Sequence, residues 1–184
     1  MLTQKRVHEL LDYDPVTGIF VWRVDRRVKT GGGVSVKGKQ AGRIDRNGYR
    51  HIGIDNEHFN AGVVAWVFVT GKMPTNEIDH KNLIRDDNRF VNLREATRSQ
   101  NMANRIQPLG KTTRFRGVRK TQKSPNAAVR WLARLQVNKK PVYLGYYASE
   151  ESAAIAYDLA AHEHFGEFAT LNFPSSPSRD WILI

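Results

Sequence analysis

The distribution of charge along the chain is the feature that most constrains its fold. No acidic residue occurs between Glu95 and Glu150, and this stretch carries twelve lysines and arginines. The charges of the remaining 17 basic and 18 acidic residues nearly cancel. This one segment therefore supplies almost all of the net charge of +11. Ordinary solvated faces mix both signs of charge. The segment therefore predicts a cationic unit with a polyanionic partner, and nucleic acid is favoured over an anionic membrane surface.

Composition narrows the class of protein further. The 184 residues suffice for one domain or two small ones. The absence of cysteine excludes disulfides and thiolate zinc sites. The N-terminal MLTQKRVHELLDYD has charges throughout, unlike a signal peptide, and no stretch approaches the ~18 apolar residues of a membrane span. We expect a cytoplasmic protein that is neither secreted nor bound to a membrane.

Both helices and strands are predicted before residue 75. The expected elements are a helix over residues 3–13 capped by Thr3, a turn over 12–18, a strand over 19–22, a flexible glycine-rich connection over 29–38 and a helix over 61–72. A buried strand is the alternative for residues 61–72. Asn47-Gly48 predicts a hairpin with a two-residue turn.

The stretch NEIDHKN places a carboxylate beside an imidazole, Asp79-His80. The pattern after it predicts strand, loop, strand and helix, with Asn92 on the second strand and Asn101 in the first turn of a helix capped by Thr97. If this helix packs back across the hairpin, Asp79 and Asn101 offer two hard oxygen ligands suited to Mg²⁺ or Mn²⁺. His80, with an unperturbed pKa of ~6.5, could act as a base towards water. The alternative is a surface Asp-His pair with ordinary turn and helix asparagines.

Three strands and one helix are predicted in the basic segment. They cover residues 115–120, 128–137, 142–147 and 149–166. Alternation in RWLARLQ places Arg130, Leu132, Arg134 and Gln136 on one face, and Trp131, Ala133 and Leu135 on the other.

The first of these two faces predicts a surface that contacts nucleic acid. Arginine can read guanine and glutamine can read adenine. Arg116, Arg130, Arg134 and Gln136 could share this face, with Arg119 nearby. The turn residues Lys139 and Lys140 suit phosphate contacts. Core packing and a nucleic-acid contact both stay open for Trp131 and Tyr143.

Residues 73–105, MPTNEIDHKNLIRDDNRFVNLREATRSQNMANR, resemble the HNH homing endonucleases of phages and introns. The matching positions are Asp79-His80, Asn82, Asp87-Asn88, Asn92-Leu93 and Asn101-Met102. The resemblance implies a strand-strand-helix metal fold in which His80 is the general base and Asn92 braces the loop. It also implies that Asp79 and Asn101 hold one Mg²⁺ or Mn²⁺ ion, and no zinc. Relatives often carry His-Arg at the position of Gly62-Val63, so any DNA contact made by that pair is missing here.

Residues 114–173 resemble the APETALA or ethylene-response-factor type of DNA-binding domain. The matching residues are RFRGVR, Trp131, Ala133, LGYY, EESAAIAYDLAA, and Gly166 through Phe173. The resemblance implies a three-stranded sheet laid in the major groove of DNA and backed by one helix. The candidate DNA-binding residues are Arg116, Arg119, Arg130, Trp131, Arg134, Gln136, Lys139, Lys140 and Tyr143.

The sequence as a whole predicts an α+β protein. A strand-strand-helix nuclease module with an N-terminal extension is expected over residues 1–106, with its core at 73–105. A linker at 107–113, a three-stranded antiparallel sheet packed on one helix at 114–174, and a polar tail at 175–184 follow.

The predicted function is that of a homing-type, site-specific DNA endonuclease of bacterial or phage-infected cells. It would act as a monomer on double-stranded DNA and nick one strand to leave a 5′-phosphate and a 3′-hydroxyl. The alternative is a sequence-specific DNA-binding regulator with an inactive nuclease fold.

Overall fold

The computed structural model describes residues 2–25, 36–105, 113–121 and 128–174. Nearly all of the predicted linker, most of the glycine-rich connection and the polar tail lie outside the described residues. The chain divides into two compact units, Met1–Ala96 and Thr97–Ile184. This division falls before residue 106, so the helix predicted to close the nuclease module belongs to the second unit. Among the described residues, no helix is both long and apolar enough to cross a bilayer.

Two helices and seven strands form the described part of the first unit. They are α1 (Gln4–Leu10), β1 (Leu11–Asp14), β2 (Ile19–Trp22), β3 (Arg43–Ile44), β4 (Arg50–Ile54), β5 (Glu57–Asn60), α2 (Ala61–Thr70), β6 (Glu77–His80) and β7 (Leu93–Ala96), with a 3₁₀ turn at Phe90–Asn92. The antiparallel sheets are β1-β2, β3-β4-β5 and β6-β7. One apolar core joins residues from α1, α2 and the first strands, including Phe20, Leu11 and Ile52.

Local signals set the ends of both helices in this unit. Thr3 caps α1 by accepting a hydrogen bond from the backbone N–H of Arg6. The helix ends at Leu10, earlier than predicted, because residues 11–14 pair with β2. The run at 61–72 is a helix, as predicted, and Gly71 ends it in the left-handed conformation.

The hairpin predicted at Asn47-Gly48 is present, but its turn is wider than expected. A two-residue type I′ turn needs a positive φ at both central residues, and only Gly48 has one, at +88°. The Asp45 carboxylate accepts hydrogen bonds from the backbone N–H groups of Asn47 and Tyr49. This side chain therefore stabilises the wider turn.

The second unit is a three-stranded antiparallel sheet covered on one face by a helix. Its elements are α3 (Arg98–Ala103), β8 (Val118–Thr121), β9 (Arg130–Val137), β10 (Lys140–Tyr147) and α4 (Glu150–Phe165), followed by a 3₁₀ turn at Gly166–Phe168. The sheet order is β10-β9-β8. The predicted α+β class, with a sheet packed on one helix, is confirmed.

Small residues bring α4 close to the sheet. Ala153 and Ala154 are buried against Val118 and Ala133, with Trp131 packed at the side of this cluster. Ser149 caps the helix and Gly166 ends it, as predicted. The Asp158 carboxylate, on α4, accepts hydrogen bonds from the backbone N–H groups of Asn172 and Phe173, which holds the segment after the helix.

Candidate functional site

Asp79 and His80 end strand β6, and each is only 5% exposed. Neighbouring strand residues point to opposite faces, so both faces of the β6-β7 hairpin are covered at this point. Asp79 lies opposite Arg94 on β7, and its Oδ2 accepts a hydrogen bond from Arg94 Nε at 2.9 Å. The pair is buried rather than at the surface, which excludes the surface-pair alternative for these two residues.

The imidazole of His80 is held in one orientation by Asn88. His80 Nε2 lies 3.2 Å from Asn88 Oδ1, while Asn88 Nδ2 donates to the carbonyl of Asp86. The amide orientation makes Oδ1 the acceptor, so Nε2 carries the hydrogen and Nδ1 carries the lone pair. Burial lowers the pKa of His80, although the hydrogen bond with Asn88 and the charge of Asp79 oppose this. The lowered pKa favours the neutral form of the ring at pH 7.

Asn88 is itself fixed from several sides. It is 1% exposed, and its carbonyl accepts a hydrogen bond from the hydroxyl of Tyr13 at 2.8 Å. Gly18, in the β1-β2 turn at φ +74°, packs directly on this backbone. A Cβ at Gly18 would lie 2.4 Å from the nitrogen of Arg89, so only glycine permits the approach. The first hairpin of the chain thus supports the loop that orients His80.

Asn92 ties together the two ends of the loop after β6. Its Oδ1 accepts from the backbone N–H of Asn82, and its Nδ2 donates to Asn82 Oδ1 and to the carbonyl of Asp87. Its place is at the end of a 3₁₀ turn, one residue before β7, and not on the second strand as predicted. The 3₁₀ turn makes room for the side chain to face back into the loop.

The same loop carries two arginine-carboxylate pairs. Arg89 and Asn82 both donate to Asp87, and the Arg89 side chain is the main reason that the pKa of Asp87 falls to about 2. Arg50 Nε and Nη2 each donate to Asp86 at 2.8 Å. Paired carboxylates of this kind hold the loop in one conformation.

Gly62, the first residue of the departure from the family pattern, is buried on α2. A Cβ there would lie 3.3 Å from Ile78 Cγ2 and 3.5 Å from Asn88 Oδ1. A longer side chain has no room without movement of these neighbours.

Asn101 lies in α3 and is half-buried. Thr97 and Gln100 form the predicted capping box, and the backbone N–H of Asn101 donates to the carbonyl of Thr97. Within the part of the chain that the structure describes, no group of three or more His, Cys, Asp and Glu side chains could hold a metal. The carboxylate of Asp79 and the side-chain amide of Asn101 each carry a hard oxygen of the kind that Mg²⁺ or Mn²⁺ prefers.

The sheet face away from α4 is basic and aromatic. Residues directly opposite each other in a sheet share a face, and the register pairs Leu132 with Arg119 and Tyr146, and Arg134 with Tyr143. Tyr143 and Tyr146 are 66% and 65% exposed. We call this the outer face; its members are Arg119, Arg130, Leu132, Arg134, Gln136, Tyr143 and Tyr146. It holds five of the nine predicted DNA-binding residues, all but Arg116, Trp131, Lys139 and Lys140.

Those four occupy other positions. Trp131 lies opposite Lys120 and Tyr147 on the α4 side of the sheet, where it is partly buried and packs against the core. Lys139 lies in the exposed β9-β10 turn, and Lys140 begins β10 opposite Val137. Arg116 precedes β8 and donates from both terminal nitrogens to the carbonyls of Met102 and Arg105.

Two segments of this chain are similar to known proteins of different classes. Residues 61–103 match the HNH endonuclease family. A stretch of 71 residues, 38% of this chain, is 39% identical to ethylene-responsive transcription factor ERF024 of Arabidopsis thaliana and covers 36% of it. A stretch of 68 residues, 35% of this chain, is 40% identical to dehydration-responsive element-binding protein 1B of Oryza sativa subsp. japonica and covers 31% of it.

Similarity of the same kind extends to AP2-like ethylene-responsive transcription factor At1g16060 of Arabidopsis thaliana. It is 44% identical over 66 residues, which are 35% of this chain and 18% of that protein. The chain therefore spans about a third or less of the length of these curated relatives. Both resemblances predicted from the sequence, to HNH nucleases and to the ethylene-response-factor type, are confirmed.

Several residues of the site did not emerge from sequence reasoning. Tyr13 and Gly18 lie in a stretch, LLDYDPVTGIFVWR, that resembles the region ahead of the HNH motif, but no local pattern connects them with Asn88. The role of Arg94 depends on which segments meet. Asn88 was noted only as part of the family spacing, and no local rule connects it with His80. Tyr146 follows the alternation of β10 and could have been found from it.

Replacing Asn88 by alanine should lower the rate of DNA cutting by about 10-fold or more, because His80 loses the acceptor that sets its tautomer. ¹⁵N NMR of the imidazole would report the loss directly, as a shift from the Nε2–H form to a mixture of tautomers. Asn76→Ala is the control, since Asn76 is an exposed asparagine of the same unit. A single Nε2–H tautomer in the Asn88 variant would contradict the assignment.

Proposed function

We propose that this protein is a site-specific DNA endonuclease of the homing type, which nicks one strand of double-stranded DNA. The observation that carries the proposal is the buried, neutral His80, with its Nδ1 lone pair set by Asn88 and the carboxylate of Asp79 next to it in the chain. A purely structural hairpin has no need to bury an oriented base beside a carboxylate. The match of residues 61–103 to HNH endonucleases supports the same reaction class.

His80 removes a proton from the attacking water at Nδ1. The water oxygen then bonds to phosphorus and the bond from phosphorus to the 3′ oxygen breaks, which leaves a 5′-phosphate and, after protonation from solvent, a 3′-hydroxyl. Asn92 contributes by holding the loop after β6. A divalent ion, when bound, supplies positive charge for the phosphate and the departing oxygen.

Asp79 and Asn101 are the proposed ligands of that ion. Asp79 lies in the first unit and Asn101 in the second, and their pairing on one ion is proposed from the family resemblance and from the chemistry of their oxygens. Mg²⁺ or Mn²⁺ suits this set better than a soft metal. Arg94, which pairs with one oxygen of Asp79, would hold this carboxylate in one orientation.

Recognition of the target is assigned to the outer face of the sheet. Arginine and glutamine side chains there match the edges of guanine and adenine, and the exposed tyrosines can pack on sugars or bases. The similarity to ethylene-responsive transcription factors supports DNA as the partner.

Incubation of supercoiled plasmid carrying candidate target DNA, with Mg²⁺, with Mn²⁺ and with chelator, tests the proposal. We expect relaxed circles with either ion and none with chelator, and end-labelling should locate the nick. Relaxation that persists in chelator would refute the metal requirement.

A second candidate function is that of a DNA-binding regulator with an inactive nuclease fold. The ion pair of Arg94 with Asp79 favours it, because the guanidinium occupies one oxygen of the proposed metal ligand. Specific binding without cutting under all metal conditions would support this candidate.

Two substitutions in the second unit distinguish the recognition of bases from the non-specific electrostatic attraction to phosphates. Arg134→Ala should reduce discrimination between sites by about 1–3 kcal/mol, because a base-reading side chain is lost. Lys139→Ala should weaken binding to all sites alike and lower the salt slope by about 1. Binding measured over several sites and salt concentrations distinguishes the two, and equal effects of both variants on discrimination would refute the assignment.

A further inference from the structure

Helix α3 is too short to be stable alone. It has six residues, and isolated helices shorter than about 12 residues are marginal in water. Its conformation must therefore come from its neighbours. Because α3 carries Asn101, whatever holds α3 also places this proposed metal ligand.

The second unit holds α3 at both ends and along one side. At its start, Ser99 Oγ accepts a hydrogen bond from the backbone N–H of Asn138, in the β9-β10 turn, at 3.1 Å. On its buried side, Ala103 packs with Leu135 and Tyr157 in the core beneath the sheet. The backbone N–H of Thr170 donates to the carbonyl of Ala103.

The last turn of α3 is capped by Arg116. Its Nη2 donates to the carbonyl of Met102 at 3.0 Å and its Nη1 to the carbonyl of Arg105 at 2.8 Å. A cation at the C-terminal end of a helix also complements the dipole. The backbone of Arg116 is fixed in turn, since its N–H donates to Asn172 Oδ1 at 2.7 Å and its carbonyl accepts from Asn172 Nδ2.

We infer that Arg116 is a positioning residue for Asn101, and not a DNA-contacting residue: it ties the helix with the proposed metal ligand to the unit that reads DNA. The inference rests on the proposed function. Arg119, Arg130 and Arg134 differ from Arg116 in that they are exposed on the outer face. Arg116 is half-buried as a residue, and its guanidinium is directed at main-chain carbonyls.

Through Arg116, DNA cutting should depend on how firmly the second unit is folded. A disturbance of the sheet near Arg116 or of the β9-β10 turn reaches α3 directly, through the Arg116 and Ser99 hydrogen bonds. Metal binding at Asn101 should therefore weaken when the second unit loosens, even where no DNA-contacting residue has changed.

The test compares Arg116→Met with Arg119→Met in the full-length protein. Amide hydrogen exchange of residues 101–105, Mn²⁺ affinity, DNA affinity and the cutting rate at saturating DNA are measured for both. For Arg116→Met we expect about tenfold faster exchange in α3, weaker Mn²⁺ binding and slower cutting, with DNA affinity within about twofold of the parent. Arg119→Met should weaken DNA binding and leave α3 exchange unchanged.

The result that overturns the inference is weaker DNA binding by Arg116→Met with α3 exchange unchanged. If the parent protein does not cut DNA, the proposed function fails, while the exchange of α3 still decides the role of Arg116. Should Arg116→Met unfold the second unit, Arg116→Lys keeps the positive charge but loses the planar, two-nitrogen geometry that bonds the carbonyls of Met102 and Arg105. The inference then requires faster α3 exchange in Arg116→Lys than in the parent protein, and unchanged exchange refutes it.

Discussion

Replacing His80 by alanine is expected to lower the rate of DNA nicking at saturating DNA by about 10²–10⁴-fold, the usual contribution of a general base. The physical reason is that Nδ1 of His80 is the group that accepts the proton of the attacking water. DNA affinity should change little, because His80 is buried and lies outside the outer face. Single-turnover cutting of a mapped site in Mg²⁺, with binding measured in parallel, separates these two effects.

His58→Ala is the matched control for this experiment. His58 lies on β5 in the same unit and is exposed, so its loss should leave cutting unchanged. Because removal of a buried ring can also destabilise the unit, thermal unfolding is recorded for both variants, and His80→Gln provides a side chain closer in size. Cutting at the parental rate by folded His80→Ala would show that the base lies elsewhere.

Replacing Gly117 by alanine is expected to lower the free energy of unfolding of the second unit by about 3 kcal/mol or more. Gly117 has a φ of +73°, and a Cβ there would lie 1.9 Å from Cδ2 of Tyr157. The ring cannot move away freely, since Tyr157 is buried in the core with Leu135, Ala161 and Phe165. Specific DNA binding should be lost together with stability.

Gly166→Ala separates the clash from the backbone strain. Gly166 also has a positive φ, +53°, but a Cβ at this position would meet nothing within 4 Å. This control should cost about 1–3 kcal/mol from strain alone. Urea unfolding of the full-length protein, followed by circular dichroism and by tryptophan fluorescence, gives both values. Equal losses in the two variants would mean that the contact with Tyr157 is not tight.

Patterns within one element predicted most of the secondary structure. Thr3, Thr97 and Ser149 cap their helices by bonding backbone groups three residues away, and such contacts follow from the sequence alone. The boundaries were less accurate where pairing decided them. Leu11–Asp14 forms a strand with β2 although it continues a helical pattern, and Asp45 widened the hairpin turn at Gly48.

The candidate site likewise has residues that the sequence predicts and contacts that it does not. Asp79, His80, Asn92 and Asn101 were found from residue types and family spacing, because the chemistry of a phosphodiester nuclease needs a base and hard oxygen ligands. The contacts around these residues could not be predicted in this way. The carboxylate of Asp79 pairs with Arg94 across two strands, a contact that depends on register.

By itself, the sequence determined that the chain has a balanced part and a strongly basic part, which residues are candidates for the chemistry, and where most helices and strands lie. These properties depend on side-chain chemistry and on neighbours a few residues apart. Only the tertiary structure decided that Asn88 orients His80, that Gly18 supports Asn88, and that Arg116 holds α3. Each of these contacts joins segments distant in the chain, and their meeting is set by the packing of whole elements.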